Sequence, residues 1–350
     1  MKILFIINSL GSGGAERVLS ILANNLSKKH NITVVLLSND AIFYELDNNI
    51  KIVRADLYKQ TNSIIDKLLS NFNRIEKLKN IFQKENPDII ISFTTSVNIL
   101  STISAKLSKK KIIISERINY EFLSSKVWRF LRIIIYRFAD ALVVQSQYDK
   151  DKYSFHKKNK VILNPLKIKK IEQNKREKII LAVGRLDLQK GFDRLIESFS
   201  LLETDWQLFI AGDGEEKGNL QSLIEKLNLK EKVFLIGRKK DIENYYAKAS
   251  IFALSSKMEG FPNVLVEAMA YGCAVVAFDC LTGPRDIIED NKNGFLVKNG
   301  DIKMFANKLD TLISDKKNRE SFSKEAVKII KRLDENKIVK EWEELIKEVI

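Results

Sequence analysis

Cysteine, histidine and long apolar runs are all scarce in this sequence. Only two cysteines occur, Cys273 and Cys280, in or beside an apolar segment, where they read as inert packing residues. The two histidines, His30 and His156, leave no suitably placed base for a Ser-His-Asp hydrolase. No cluster of His, Cys and acids has ligand spacing, so no metal site is expected. Asp149-Lys150-Asp151 imitates a metal-binding acid pair but reads as a solvated helix face. No run approaches the roughly 18 to 20 apolar residues that a membrane-spanning helix needs. The opening MKILFIINSLGSGG resembles a signal peptide only superficially. Its apolar core is short, runs into a glycine turn and lacks a small-residue cleavage site. It reads as a first β-strand, and the chain as cytoplasmic. There is no internal repeat and no low-complexity tract.

What is present describes a globular chain. With 350 residues, 45% apolar and 30% charged, it has room for two domains, each with its own core. The charge is lopsided. Residues 1–170 carry a net +15, of which residues 101–170 carry +12, whereas residues 171–350 sum to −1. So basic a surface on one half points to an anionic partner: nucleic acid, acidic lipid headgroups or a phosphorylated substrate.

Short β-branched runs alternate with amphipathic segments. Strands are predicted at 2–8, 32–38, 88–93, 111–115 and 141–146, then again at 178–184, 206–212, 232–237, 250–256 and 274–279. That alternation argues for parallel sheets covered by helices on both faces. The restart after the basic stretch HKKNKVILNPLKIKKIEQNKREK argues for two such sheets in tandem, hinged at Asn164-Pro165. Domains are expected over 1–165 and 166–335. A last helix over 336–350, with Ile338, Trp342, Leu345 and Ile346 on one face, either caps the second domain or docks back on the first.

Parallel sheets bind ligands beyond the carboxyl ends of their strands, so the loops there hold the candidates. After the first strand, Gly11-Ser12-Gly13-Gly14 would let backbone N–H groups approach a phosphate, or would merely serve a tight strand-to-helix turn. A dinucleotide fingerprint is broken at Glu16, where its third glycine would stand, and Asp40 comes late for a ribose-binding acid. In VGRLDLQKGFDRLIESF, Gly184 precedes Arg185 and Lys190, whose charges can converge on one anion ahead of a helix. Taken alone they would pass for solvated surface charges. In SSKMEGFPNVLVEAMAYGCAVVAFD, the acids Glu259 and Glu267 flank a turn and a helix start marked by Pro262. Backbone amides from Gly260 to Leu265, including Phe261, Asn263 and Val264, can hold hydroxyls or phosphate. Glu267 sits among apolar neighbours, and a buried carboxylate needs partners.

GRLDLQKG, followed some seventy residues later by EGFPNVLVE and AYGCAVVA, resembles the nucleotide-sugar-binding domain of glycosyltransferase family 4. GSGGAERV and TGPRDIIEDNKNGFLV extend that resemblance along nearly the whole chain. It implies the α/β GT-B fold, with two Rossmann-like parallel-sheet domains facing a central cleft. It also implies a retaining hexosyltransferase that needs no metal or cofactor and uses a nucleotide-sugar, here UDP-linked. Arg185 and Lys190 would neutralise the leaving diphosphate, with Gly13 and Gly14 closing on it from the first domain. Glu267 would bind the nucleotide ribose, and Glu259 with the amides of Gly260 to Asn263 the transferred sugar. The loop GRKKD, with Gly237 and Lys239, would pass near the base. One position departs from the family. Many relatives carry a histidine after Ser-Glu in the loop following the fifth strand, where this chain has Arg117. An arginine stays protonated and cannot be a general base, but can hold an acceptor phosphate or the donor diphosphate.

Residues 126–138, KVWRFLRIIIYRF, alternate basic and bulky apolar positions, as an interfacial helix on anionic lipid does. A core-facing helix with its arginines wet is the competing reading. The acceptor expected is a lipid-linked glycan or envelope polysaccharide at the inner membrane face. Nucleic acid is not expected, since no binding module is present. A non-hydrolysing UDP-sugar epimerase, a catalytically silent nucleotide-sugar-binding partner and, last, an NAD-dependent dehydrogenase are the alternatives.

Overall fold

The computed structural model describes residues 1–11, 13–57, 64–123, 125–169 and 175–350, with the backbone alone at 64–69. Ser12 of the glycine loop and residues 170–174 of the basic stretch lie outside them. The chain divides into two compact units, Met1–Pro165 with Asp334–Ile350, and Leu166–Leu333.

The first unit holds seven strands: β1 (Lys2–Ile7), β2 (Asn31–Leu36), β3 (Lys51–Arg54), β4 (Ile89–Phe93), β5 (Ile112–Ser115), β6 (Ala141–Val144) and β7 (Asn159–Val161). They pair in parallel in the order β3-β2-β1-β4-β5-β6-β7. The second unit holds six: β8 (Glu177–Val183), β9 (Gln207–Ala211), β10 (Val233–Gly237), β11 (Ala249–Leu254), β12 (Ala274–Asp279) and β13 (Phe295–Lys298). Their order is β10-β9-β8-β11-β12-β13, again all parallel. Central strands such as IIISF and AVVAF are buried on both faces, which is why they read as unbroken apolar runs.

In each sheet the order reverses once, between β1 and β4 and between β8 and β11. Loops leaving adjacent strands on either side of a reversal diverge and open a crevice at their carboxyl ends. In the second unit, the two loops so placed begin at Gly184 and Ser255.

The helix Glu335–Val349 lies in the first unit. Ile338, Trp342, Leu345 and Ile346 are buried in one core with Val18, Leu22 and Leu26 of the helix Gly14–Leu26. Both cysteines are free and buried, and burial pushes their thiols up to about 11 at Cys273 and about 12 at Cys280. Neither is a thiolate at neutral pH.

Candidate functional site

The loop after β8 is folded by its own backbone. Gly191 caps the helix Phe192–Ser200 with φ +62°, and a Cβ there would stand 2.4 Å from the Ser255 carbonyl oxygen. Only glycine meets both demands. The loop is then stitched to the one after β11. Lys257 N–H donates to the Gln189 carbonyl at 2.8 Å, Ser255 Oγ to the Lys190 carbonyl at 2.9 Å, and Gln189 Nε2 to the Met258 carbonyl at 3.0 Å. Behind them Gly212 lets β9 approach, since a Cβ there would sit 1.8 Å from the Gly184 carbonyl oxygen.

This stitching decides where the charges fall. Lys190 Nζ lies 2.7 Å from Glu259 Oε1, with the two side chains only 20% and 7% exposed. Ser256 Oγ donates to the same carboxylate oxygen at 2.6 Å, and Thr282 Oγ1 holds the Glu259 carbonyl at 2.6 Å. The lysine stem passes over Gly184, whose missing side chain leaves the room. Arg185 is different. Its guanidinium is 73% exposed and pairs through Nε with Asp187 Oδ2 at 2.6 Å. Asp187 Oδ1 also accepts from the Lys190 N–H at 3.1 Å, so one acid sets both cations. The Asp two residues after Arg185 is a turn-forming signal that sequence reading passed over.

Glu267 belongs to another network. It is buried on the helix Asn263–Ala270, and its Oε2 accepts from the Tyr246 hydroxyl at 3.0 Å. Tyr246 is itself fully buried and stacked on Tyr271, with ring centroids 5.8 Å apart. One partner of this carboxylate is therefore a tyrosine 21 residues upstream, which no local pattern announces. The amides expected to bind ligand need correction. Pro262 has no N–H, the Asn263 N–H donates to the Phe261 carbonyl at 3.0 Å, and the Leu265 N–H donates to the Pro262 carbonyl at 3.0 Å. Gly260 and Val264 share the same loop and first turn, and the Phe261 side chain is buried. Gly237 ends β10 at φ +70° and accepts from the Gly212 N–H at 3.0 Å, with Lys239 Nζ over the Tyr245 ring at 5.7 Å.

Gly13, Gly14 and Arg117 lie in the first unit. Gly13 caps the helix that begins at Gly14, and the Glu16 carboxylate folds back on it: a Cβ at Gly13 would be 2.2 Å from Glu16 Oε2. Burial raises the Glu16 pKa. An acid of the helix's own first turn thus faces the helix N-terminus.

Arg117 follows β5. Its Nη1 donates to Asn164 Oδ1 at 2.6 Å, and its guanidinium lies 5.0 Å from the Phe93 ring centre and 5.9 Å from that of Trp342. Nε and Nη2 are buried with no partner among the described residues. Burial presses its pKa down to about 9 against the opposing pull of Glu116, so it remains a cation at neutral pH. Glu116 beside it is 2% exposed and receives the Tyr136 hydroxyl at 2.6 Å, the Thr95 hydroxyl at 2.8 Å and the Arg117 N–H at 3.0 Å. Burial nevertheless wins and raises its pKa. The folded protein then holds this proton more tightly than the unfolded chain does. Stability should therefore fall as pH rises from the ordinary value of 4.5 through the raised one. Thermal melts from pH 4.5 to neutrality should show a shallower fall for Glu116→Gln than for wild type; parallel profiles would contradict this.

A further correction concerns Asp149. It is 4% exposed rather than solvated, and accepts from the Tyr120 N–H at 2.8 Å and the Ser146 hydroxyl at 2.6 Å. It fixes a loop.

Comparison with known proteins follows the same division. Residues 12–166 match the domain described as Glycosyltransferase Family 4, and residues 164–329 that described as Glycosyl transferases group 1. A GalNAc-alpha-(1->4)-GalNAc-alpha-(1->3)-diNAcBac-PP-undecaprenol alpha-1,4-N-acetyl-D-galactosaminyltransferase of Campylobacter jejuni is 34% identical, covering 100% of this chain and 99% of that protein. The chain belongs to glycosyltransferase family 4. The amylovoran biosynthesis glycosyltransferase AmsD of Erwinia amylovora is 30% identical over 99% of both chains. Among solved structures, Anabaena Alr3699/HepE in complex with UDP aligns with TM-score 0.84 at 22% identity, over 99% of this chain and 100% of that one. The two parallel-sheet units are those of the GT-B fold.

For a glycosyltransferase the arrangement has a direct chemical use. Breaking an anomeric C–O bond leaves negative charge on the departing group and positive charge on the sugar. A cation fixed in advance can stabilise the departing charge without reorganising in the transition state, and Lys190 is held in place by Glu259.

Proposed function

We propose that this glycosyltransferase moves a hexose or N-acetylhexosamine from a UDP-sugar onto a lipid-linked glycan or envelope polysaccharide intermediate, with retention and without a metal ion. The observation that carries the reading is the cluster at the β8 and β11 loops, where Lys190 is pinned to Glu259 beside exposed Arg185. Lys190 and Arg185 would take the leaving diphosphate, Glu259 the transferred sugar, and Glu267 the ribose. The Campylobacter relative's name places its own sugar on a diphospho-undecaprenol carrier, and Anabaena Alr3699/HepE was solved with UDP and with UDP-glucose. Both support the donor and acceptor classes assigned here.

The helix Lys126–Ile135 and the turn after it support a place of action at a membrane surface. Val127, Phe130, Ile134 and Phe138 form one exposed row, at 66%, 64%, 38% and 57%, while Arg132 is buried. The opposite side packs Trp128, Leu131 and Ile135 on the core, and of the three arginines here Arg129 and Arg137 stay wet while Arg132 is buried, so core-facing and interfacial sides coexist. Lys126, Arg129 and Arg137 flank the row. An exposed apolar stripe edged with cations fits the interface of an anionic membrane, at its cytoplasmic face. No helix among the described residues is long and apolar enough to cross one.

Calorimetry in EDTA tests the donor assignment. UDP should bind, and Glu267→Ala should weaken it about thirtyfold, as loss of a charged hydrogen-bond partner does. Unchanged affinity would remove Glu267 from the site. An inverted anomeric product, or donor epimerised with no acceptor present, would overturn the reaction assigned.

A further inference from the structure

A pocket of about 550 Å³ opens at the amino-terminal edge of the first sheet. Three segments about to enter strands wall it, Lys111 before β5, Arg137, Ala139 and Asp140 before β6, and Phe155 to Lys158 before β7, together with Val349 of the last helix. Four cations, Lys111, Arg137, Lys157 and Lys158, line it against one carboxylate, Asp140.

That carboxylate is already engaged. Asp140 Oδ2 accepts from Lys106 Nζ at 2.7 Å and from the Ile112 N–H at 2.8 Å, and Lys111 Nζ lies 3.6 Å from Oδ1. Among the described residues neither Arg137 nor Lys157 has a carboxylate partner. Lys158 Nζ donates to a neutral group, the Glu348 carbonyl, at 2.9 Å, so its charge is not cancelled there. The wall is also braced. His156 Nδ1 accepts from the Lys158 N–H at 3.1 Å while Nε2 faces the Ala139 carbonyl at 3.2 Å, and the Arg137 guanidinium lies 5.5 Å from the Phe155 ring centre. A braced pocket with surplus positive charge selects an anion.

Its position says which anion. Arg137 is next in sequence to Phe138, the last member of the exposed row that begins at Val127. We infer that this pocket receives the phosphate headgroup of an anionic glycerophospholipid whose acyl chains lie along the Val127–Phe138 row. The inference rests on the membrane reading above. It adds a headgroup-selective site, distinct from the sugar-transfer cluster, and divides attachment between an apolar and an electrostatic part. Stable peripheral anchoring ordinarily takes two such parts.

Co-sedimentation of the full chain with vesicles tests it, using wild type, Arg137→Gln/Lys157→Gln and Phe130→Ser. The vesicles are phosphatidylglycerol in phosphatidylcholine, and oleate in phosphatidylcholine at equal surface charge. Wild type should prefer phosphatidylglycerol, and the double variant should lose about thirtyfold there, roughly the worth of two cations at a charged surface. On oleate vesicles its loss should be smaller, and unchanged melting temperature checks the fold. Equal losses on both vesicle types would mean diffuse surface charge, and no loss would empty the pocket of its role. Each overturns the inference. Tight binding of free glycerol phosphate that the double variant abolishes would reassign the pocket to a soluble anion, which also overturns it. If wild type binds no vesicle, the membrane reading itself fails. Binding lost in Phe130→Ser but kept in the double variant rejects the pocket alone.

Discussion

Lys190→Ala should lower kcat by about a hundredfold to a thousandfold, the range found when one transition-state charge donor is removed. Two effects would contribute. On the proposed reading, the departing diphosphate would lose a cation held 2.7 Å from its anchoring carboxylate. Glu259, only 7% exposed, is then left with the Ser256 hydroxyl and an uncompensated charge. Breaking a buried pair from one side is costly, whereas replacing both partners with neutral groups is much less so. The double variant Lys190→Met/Glu259→Gln separates the two effects. It should recover the melting temperature that Lys190→Ala loses while remaining inactive. Turnover unchanged in Lys190→Ala would remove Lys190 from the reaction, and activity restored in the double variant would make the pair a structural one.

Trp342→Ala should destabilise the first unit by about 3 to 5 kcal/mol, as truncating a buried large aromatic does. Trp342 is fully buried, with its ring centre 6.2 Å from that of Phe93 at an interplanar angle of 25°. It also stands 5.9 Å from the Arg117 guanidinium. Its removal opens a cavity beside a cation whose Nε and Nη2 have no hydrogen-bond partner among the described residues, and leaves that cation one ring face, Phe93, instead of two. Calorimetric melting should show the transition of the first unit shifted down and that of the second unmoved, since Trp342 lies in the first. Trp342→Phe should be milder because it keeps a ring there. A loss below about 1 kcal/mol, ordinary for a surface change, would show that the helix Glu335–Val349 does not hold that core together.

Reading the sequence located ten strands and passed over three, β3, β7 and β13. All three lie at sheet edges. Edge strands carry weaker patterns because one side lacks a neighbour. KIVR is mostly exposed and NKV half-buried, so neither shows the apolar run that marks a central strand. The helix Lys126–Ile135 was legible as amphipathic but not as to which side faces in. Its alternation allows either; the structure turns Trp128, Leu131 and Ile135 to the core and leaves Arg129 and Arg137 exposed, while Arg132 is buried over the Tyr120 ring at 4.1 Å.

The candidate site divides the same way. Motif spacing is local, so GRLDLQKG and the Glu259–Glu267 pair were readable as they stand, and with them the family and the GT-B fold. Pairing is not local. Lys190 and Glu259 are 69 residues apart, and Tyr246 and Glu267 21. By itself, then, the sequence determined two parallel α/β units, a basic first half and the family to which the chain belongs. Only the tertiary structure decided that Lys190 answers Glu259, that Asp187 sets both cations and that Asn263 and Leu265 turn their amides inward. The physical reason is strand order. Placing β8 beside β11 brings their loops together, and no periodicity within either segment records which strand becomes its neighbour.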